Sequence, residues 1–260
     1  MNTIDEQRRE AFGEIAQLYD DARPVYPDAL IEDVLGLSRF PVDGTLLEIG
    51  CGTGIATRMF REKGCRIVAL EPAPEMAAIA RNKFRRSTSV SIVEKKFEEW
   101  DPGDKRFDLV VSAQAFHWIR PEIAYRKSAL LLKPSGKLAL FWNLRRPFEE
   151  DLENEMAEIY QNYFTGQPWF STASQSLEAS ILLRTESIEA SGYFGPVSLK
   201  RYLWEKKYTC TDYLNLLGSY ADHHVMEENR KKLLFSKIVD LLERRGGFIH
   251  VPYTTVLYLC

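Results

Sequence analysis

The sequence has little that is typical of membrane, secreted or nucleic-acid-binding proteins. No segment approaches the roughly 18 consecutive apolar residues of a membrane span. The charged opening Met1–Glu10 lacks the apolar centre of a signal peptide. The 34 basic and 37 acidic residues give a net charge of −3, so no general attraction to nucleic acid is present. We therefore expect a cytoplasmic protein with no membrane and no nucleic-acid partner.

Cysteine and histidine are also scarce, with four of each in 260 residues. The cysteines (51, 65, 210 and 260) have no metal-ligand spacing, and we expect free thiols. His223 and His224 are adjacent in a predicted helix, where neighbouring side chains diverge, so we expect surface histidines. The sequence predicts no metal site.

A glycine-rich loop after a short apolar strand is the most informative feature present. Residues 46–54 read LLEIGCGTG, with glycine at every second position from 50. Glycine tolerates positive φ and lets a ligand touch the main chain, and the N–H groups of a following helix point at the same spot. A dinucleotide motif needs a small third residue where Ile55 or Thr57 stands, and a P-loop needs lysine after Gly54. Neither motif fits.

A second strand ends in an acid at the spacing expected for a ribose-binding residue. Glu71 follows the run Arg66–Leu70 and lies 17 residues beyond Gly54. A carboxylate there can accept hydrogen bonds from both ribose hydroxyls and would repel a 2′-phosphate, which argues against NADP. The ordinary alternative is a solvated carboxylate or a helix cap.

Strand-length and helix-length patterns alternate through residue 143, which predicts a parallel, doubly wound α/β sheet. After this, a helix is predicted over 148–164, then a less regular stretch through about Glu189, and a helical region over 211–245 between two long strands. The predicted strands are Val42–Ile49, Arg66–Leu70, Ser89–Glu94, Phe107–Ala113, Lys137–Asn143, Val197–Tyr208 and Phe248–Leu259, and the early helices span 53–63, 74–85 and 121–132.

The E-x-G-x-G-x-G pattern from Glu48 to Gly54, together with Glu71, resembles the class I S-adenosylmethionine-dependent methyltransferases. Segments Ser112–Trp118 (SAQAFHW) and Tyr19–Pro27 resemble a small-molecule subgroup that includes trans-aconitate methyltransferase-like enzymes. The resemblance covers residues 10–143 strongly. It implies a Rossmann-like seven-stranded sheet whose last strand is antiparallel, with an N-terminal helix and an inserted helical lid.

The same resemblance implies a single domain over residues 1–260. Its parts are N-terminal cap helices (1–40), a cofactor-binding half (41–143), a helical lid insertion (144–195) and C-terminal strands and helix (196–260). The expected state is a monomer or a weak homodimer.

The resemblance also implies a binding site for S-adenosyl-L-methionine and its product S-adenosyl-L-homocysteine. Phe97 would border the adenine, Glu98 would accept from its exocyclic amine, and Tyr19 and Arg23 would reach the cofactor carboxylate. The other implied cofactor residues are Glu48, Gly50, Cys51, Gly52, Thr53, Gly54, Glu71, Pro72, Met76, Ala113, Gln114, Ala115 and Trp118.

The expected reaction is in-line methyl transfer to a small molecule, in which alignment and desolvation are the main catalytic effects. A carboxylic acid would need cations, for which Arg23, Arg145 and Arg146 are best placed, and no base. A phenol or amine would need His117 as base; a buried structural histidine is the alternative. Tyr26 would face the acceptor, and the other candidates for its wall are Trp142, Phe164, Trp169 and Phe170.

Two further readings stay open at this point. The chain would bind the cofactor equally well as a sensor or pseudoenzyme without catalysis. It would also fit an RNA or protein methyltransferase, although no basic face or stacking platform for single strands stands out.

Overall fold

A seven-stranded mixed sheet forms the centre of the molecule. The computed structural model describes residues 16–164 and 177–260. The strand order is β3-β2-β1-β4-β5-β7-β6. The first five strands are parallel, and β7 lies antiparallel between β5 and β6. The class I arrangement with its last strand antiparallel is therefore confirmed.

The first part of the described chain alternates strands and helices as the sequence predicts, because apolar strands buried on both faces need helices to cover them. Phe107–Ala113 and Arg66–Leu70 have the predicted bounds, whereas β1 begins at Thr45 since Val42 is exposed. The elements are α1 Ala16–Ala22, α2 Asp28–Leu37, β1 Thr45–Ile49, α3 Ile55–Glu62, β2 Arg66–Leu70, α4 Pro74–Phe84, β3 Val90–Val93, β4 Phe107–Ala113, a 3₁₀ turn Phe116–Trp118, α5 Pro121–Leu131 and β5 Leu132–Arg145.

The rest of the chain adds helices and the two antiparallel strands. The elements are α6 Glu150–Tyr163, α7 Leu177–Ala190, β6 Ser198–Thr209, α8 Cys210–Gly218, α9 Ala221–His224, α10 Glu228–Arg244 and β7 Phe248–Leu259. Helix α7 replaces the irregular stretch predicted there. Its apolar residues do not mark one face, because Ile181 and Ile188 are buried while Leu182 and Leu183 are exposed.

The core consists of clusters on the two faces of the sheet and a third cluster under the second half of the chain. The first contains Leu30, Phe60 and Phe141, and the second contains Leu47 and Tyr258. The third joins α6, α8 and α10 to the last residues of β6 and the first residues of β7. Because these clusters cover both faces, the edge at the carboxyl ends of the parallel strands is where a ligand can enter.

His223 lies in the third region rather than on the surface, so the prediction of surface histidines is wrong for this residue. Its side chain is fully buried, and its Nε2 lies 2.8 Å from the hydroxyl oxygen of Tyr160. Burial is the main reason that the pKa of His223 is lowered from 6.5 to about 4, and the positive charges of Lys231 and Arg23 contribute to the same shift. The adjacency of the two histidines did not reveal that His223 would be buried.

Candidate active site

A cavity of about 710 Å³ opens at the carboxyl ends of β1, β2 and β4. Ligands of open α/β sheets bind at this edge. The lining contains every residue predicted to bind the cofactor except Thr53 and Gly54, and it also contains Tyr26 and His117. Thr53 is buried, and Gly54 is the left-handed N-cap residue that precedes α3. The sequence-predicted cofactor residues are therefore brought together in one place.

The glycine loop is tied to the end of β2 by the carboxylate of Glu71. One carboxylate oxygen accepts from the backbone N–H of Gly52 at 2.8 Å, and the other accepts from that of Ala73 at 2.9 Å. Each carboxylate oxygen has a second acceptor site. The main chain thus fixes the orientation of a carboxylate that borders the cavity.

Two glycines of the loop have separate structural requirements. Gly50 has φ +69°, and a Cβ there would lie 2.4 Å from the Cβ of Ala115, so the close approach of the β4 loop requires glycine. Gly52 has φ +56°, and its Cβ would lie 3.9 Å from Met76 Sδ and 4.0 Å from the Tyr19 ring. All five residues line the cavity. A larger side chain at 52 would therefore enter ligand space.

Glu48 is a fully buried carboxyl group at the floor of the cavity. One of its oxygens accepts a 2.5 Å hydrogen bond from Thr57 Oγ1; the other, Oε1, has no hydrogen-bond partner among the described residues. The pKa of Glu48 is raised to about 7, mainly by burial; the Thr57 hydrogen bond opposes this shift, and the charge of Glu71 adds to it. A cationic ligand group beside Glu48 would favour the ionised form.

Lys127 organises the loop after β3, a role that the sequence did not reveal. Its ammonium donates to the carbonyl oxygens of Phe97, Glu98 and Trp100 at 2.6, 3.1 and 2.5 Å, and its Nζ lies 5.1 Å from the Phe97 ring centroid. Burial lowers the pKa of Lys127. The only sequence signal was a lysine on α5 next to residues that face the sheet. One side chain thus positions both predicted adenine-binding residues.

The loop after β4 is held in a strained backbone conformation. Gln114 has φ +61°, a left-handed conformation that is uncommon for residues other than glycine. Its N–H donates to the Phe141 carbonyl at 3.0 Å, and its side chain donates to the Asn143 carbonyl at 3.3 Å. Such strain often accompanies a functional site. Here it presents the main chain of the β4 loop to the cavity.

The N-terminal segment closes one side of the cavity. Arg23 donates from Nε to the Ser219 hydroxyl and from Nη2 to the Ser219 carbonyl, both at 2.9 Å. Its guanidinium carbon lies 4.7 Å from the Tyr19 ring centroid and 4.0 Å from that of Tyr220. Tyr220 and Asp222 also line the cavity, and the sequence did not single them out. Their contribution depends on contacts between residues almost 200 positions apart.

The chain is similar to known methyltransferases in sequence and in fold. Residues 47–140 match a family model described as a methyltransferase domain. An uncharacterized methyltransferase of Mycobacterium bovis is 34% identical over 135 residues, which are 52% of this chain and 53% of the relative. An uncharacterized methyltransferase of Schizosaccharomyces pombe is 27% identical over 237 residues, 86% of this chain and 84% of the relative. The chain thus spans about half the length of the mycobacterial relative it matches.

Solved structures share the fold across nearly the whole chain. One is described as a type II methyltransferase from Anaeromyxobacter dehalogenans, with a TM-score of 0.60, 19% identity and coverage of 91% of this chain and 96% of that one. Another, from Anabaena variabilis, is described as a methyltransferase from an antibiotic biosynthesis pathway, with a TM-score of 0.61, 16% identity and coverage of 90% and 97%. Residues 47–140 thus match a methyltransferase domain, within a fold that known methyltransferase structures share.

Two of the residues of this methyltransferase domain that were predicted to take part in catalysis lie at the cavity. Tyr26 is buried with its ring against Phe141, at a centroid distance of 4.9 Å. Burial raises the pKa of Tyr26 well above 10, so its phenol stays protonated at neutral pH. His117 lies on the 3₁₀ turn and receives a hydrogen bond at Nδ1 from Trp142 Nε1 at 3.2 Å.

The remaining predicted acceptor residues lie away from the cavity of the methyltransferase domain. Arg145 pairs with Glu153 at 2.9 and 3.0 Å, and Trp142 is buried against Tyr258. The Arg146 N–H donates to the Pro252 carbonyl, and Phe164 packs against Tyr160 and His223. The partners engage these side chains or segments within the fold, so their positions do not support a role in holding the acceptor. Trp169 and Phe170 lie outside the described residues.

The described ranges contain neither a membrane-spanning helix nor a metal-binding cluster. No helix in them has both the length and the apolar character needed to cross a membrane. Across residues 16–164 and 177–260, no group of three or more acidic, histidine or cysteine side chains is arranged to hold a metal ion.

Proposed function

We propose that this methyltransferase domain transfers a methyl group from S-adenosyl-L-methionine to a small-molecule acceptor. The observation that carries the proposal is the Glu71 carboxylate, held by the N–H groups of Gly52 and Ala73 at the mouth of the glycine loop. A carboxylate fixed at the end of the second strand suits the two hydroxyls of a ribose. The sulfonium supplies an electrophilic methyl carbon, so the protein needs mainly to align and desolvate the acceptor.

The other cavity residues have roles that fit the same ligand. Phe97 and Glu98 would bind the adenine on the loop that Lys127 holds. The Oε1 of Glu48 would face a cationic group of the cofactor. Arg23, between two tyrosine rings, would bind the cofactor carboxylate. Gly50, Cys51, Pro72, Met76, Ala113, Ala115 and Trp118 would complete the contact surface.

For the acceptor, we propose a carboxylic acid held by hydrogen bonds rather than by the arginines first considered, since Arg145 pairs with Glu153 and Arg23 is assigned to the cofactor. A carboxylate reacts without losing a proton, and the pKa of Tyr26, the ionisable phenol packed beside Phe141 at the cavity, is too high for it to act as a base.

We also propose that the chain works as one domain, monomeric or weakly dimeric, with residues 144–195 as a lid. Unpaired cysteines support a reducing, cytoplasmic compartment.

Calorimetric titration with S-adenosylhomocysteine tests the cofactor assignment. The wild-type chain should bind, and Gly52→Val and Glu71→Ala should abolish binding while the exposed control Glu99→Ala retains it. Absence of binding by the wild-type chain would refute the proposal. Transfer of a tritiated methyl group to fractionated metabolites then tests catalysis. Cofactor binding without any transfer would indicate a non-catalytic binding protein instead.

A further inference from the structure

His117 has one ring nitrogen committed to a buried partner. Its Nδ1 faces Trp142 Nε1 at 3.2 Å, while the side chain itself is exposed and lines the cavity. The indole N–H of tryptophan is a donor only, so His117 Nδ1 must be the acceptor. The contact therefore determines which nitrogen carries the proton in the neutral ring.

Trp142 is held too firmly to turn away from this contact. It lies on β5 with 4% of its surface exposed. The Tyr258 ring packs edge-on against it at 5.5 Å, and the Arg184 guanidinium from α7 lies 4.8 Å from its ring centroid. Its Nε1 has His117 as hydrogen-bond partner. A buried indole N–H needs an acceptor, so the hydrogen bond from Trp142 to His117 Nδ1 is favoured over any arrangement that leaves the indole unpaired.

Neutral imidazole has one donor and one acceptor nitrogen. With Nδ1 accepting from Trp142, His117 carries its proton on Nε2. The two ring nitrogens project in different directions, so Nε2–H points away from the buried indole. In this tautomer, Nε2 of His117 is a hydrogen-bond donor and has no lone pair with which to take a proton.

We infer that His117 orients the methyl acceptor by donating a hydrogen bond from Nε2–H to an anionic oxygen, and that it is not a general base. This inference rests on the proposed function and adds to it the role of one residue. It differs from the sequence-based hypothesis in which His117 deprotonates a phenol or amine. Trp142, predicted to form the acceptor wall, becomes the residue that positions His117.

The reaction balances without a proton acceptor. A lone pair on one carboxylate oxygen forms the O–CH₃ bond as the S–CH₃ bond breaks, and the electron pair of that bond passes to sulfur. The products are a methyl ester and a neutral thioether. His117 would bind the second carboxylate oxygen, which holds the first in line with the methyl group.

Nuclear magnetic resonance of the ¹⁵N-histidine-labelled full chain tests the tautomer directly. The chain has four histidines, and the signals that disappear in His117→Gln identify His117. We expect a protonated Nε2 and an unprotonated Nδ1, with and without S-adenosylhomocysteine. Trp142→Phe removes the indole N–H and should yield a mixture of tautomers. A protonated Nδ1 in the wild-type chain would overturn the inference.

Rescue by glutamine separates a donor from a base. A phenylalanine at 117 removes the donor, and we expect methyl transfer to fall about 10- to 100-fold, the range for losing a hydrogen bond to a charged group. Glutamine can donate from a similar position but cannot accept the proton that a base must take, so His117→Gln should recover part of the rate. The opposite result would be that His117→Gln is as slow as His117→Phe and that the pH–rate profiles of both variants lack the rise with pH seen in wild type. His117 would then be a base.

The class of product gives a second readout of the same inference. Methyl esters release volatile methanol in mild alkali, whereas methylated phenols and amines do not. Tritium transferred from the cofactor to the acidic fraction of a metabolite extract should become volatile after such treatment. Label found only in alkali-stable products would contradict the inference.

The titration with S-adenosylhomocysteine should be unchanged in His117→Phe. If the wild-type chain does not bind S-adenosylhomocysteine, the proposed function is refuted. The tautomer of His117 is measured by nuclear magnetic resonance, so its outcome does not depend on that titration.

Discussion

Replacing Glu48 by glutamine should stabilise the ligand-free protein increasingly as pH rises. The side chain is fully buried, and burial is the main reason that its pKa is raised from 4.5 to about 7. The folded protein therefore holds a proton on Glu48 more tightly than the unfolded chain does. Its contribution to the free energy of unfolding is present in full below pH 4.5 and is lost as pH rises through 7.

The size of this effect follows from the difference between the two pKa values. Ionising Glu48 in the folded protein costs about 2–3 kcal/mol between pH 5 and pH 8, since one pKa unit corresponds to ~1.4 kcal/mol. The glutamine has nearly the same shape, can accept from Thr57 as the acid does, and stays neutral. For a domain of this size the difference corresponds to roughly 5–10 °C in melting temperature.

His223 also changes the stability of the protein with pH, so Glu48→Gln must be compared with wild type at every pH. Its folded pKa is lowered from 6.5 to about 4, so its contribution to stability is lost as pH falls through that range. Between pH 4.5 and 6.5 this opposes the effect of Glu48. The two trends partly cancel in the wild-type chain, but subtracting wild-type from variant removes the His223 contribution, which is common to both.

The assay is thermal unfolding followed by circular dichroism at pH 5, 6, 7 and 8, without cofactor. The melting temperature of Glu48→Gln minus that of wild type should increase at each step from pH 5 to pH 8. Glu99→Gln, on an exposed side chain of the loop after β3, is the matched control and should show no widening. A Glu48→Gln difference that stays constant across the series would refute the reasoning about burial, as would the same widening in the control.

Two further predictions concern residues that hold the site and the fold. Lys127→Met should weaken S-adenosylhomocysteine binding about 10-fold by calorimetry, because the loop carbonyls lose a charged donor; the exposed Lys105→Met should bind as wild type does, and equal affinities would contradict the role of Lys127. Arg145→Met should lower the free energy of unfolding by about 2 kcal/mol in urea titration, because Glu153 loses both guanidinium donors and keeps the Phe148 N–H. It should leave S-adenosylhomocysteine affinity unchanged, and a loss of affinity without a loss of stability would point to a binding role for Arg145.

The strands and their terminal acids were predictable because each is a local signal. Glu48 and Glu71 follow apolar runs of strand length, and the spacing of the glycines between them is independent of the rest of the fold. Parallel strands place their carboxyl ends at one edge of the sheet, so the cavity followed from the alternation alone. Its lining contains nearly all the predicted cofactor residues.

The second half of the chain was less predictable because its contacts are not local. The sequence shows that Arg145 is a cation near the end of a strand, but not that Glu153 will accept from both Nη1 and Nη2 of its guanidinium. Ser219 gives no signal that it will bind Arg23, 196 positions earlier. Apolar patterning also failed for α7, whose buried residues are too few to mark a face. Long-range pairing decided these features.

The position of β7 has a consequence for the order in which the protein is made. β7 follows β6 in the chain yet lies between β5 and β6, with a described partner on each side. The ribosome therefore releases β6 before the strand that joins it to the sheet. Until β7 emerges, the edges of β5 and β6 that it will cover stay unpaired, and premature association with other chains can begin there. The positive side chains at 200, 201, 206 and 207 along β6 would reduce that risk during synthesis.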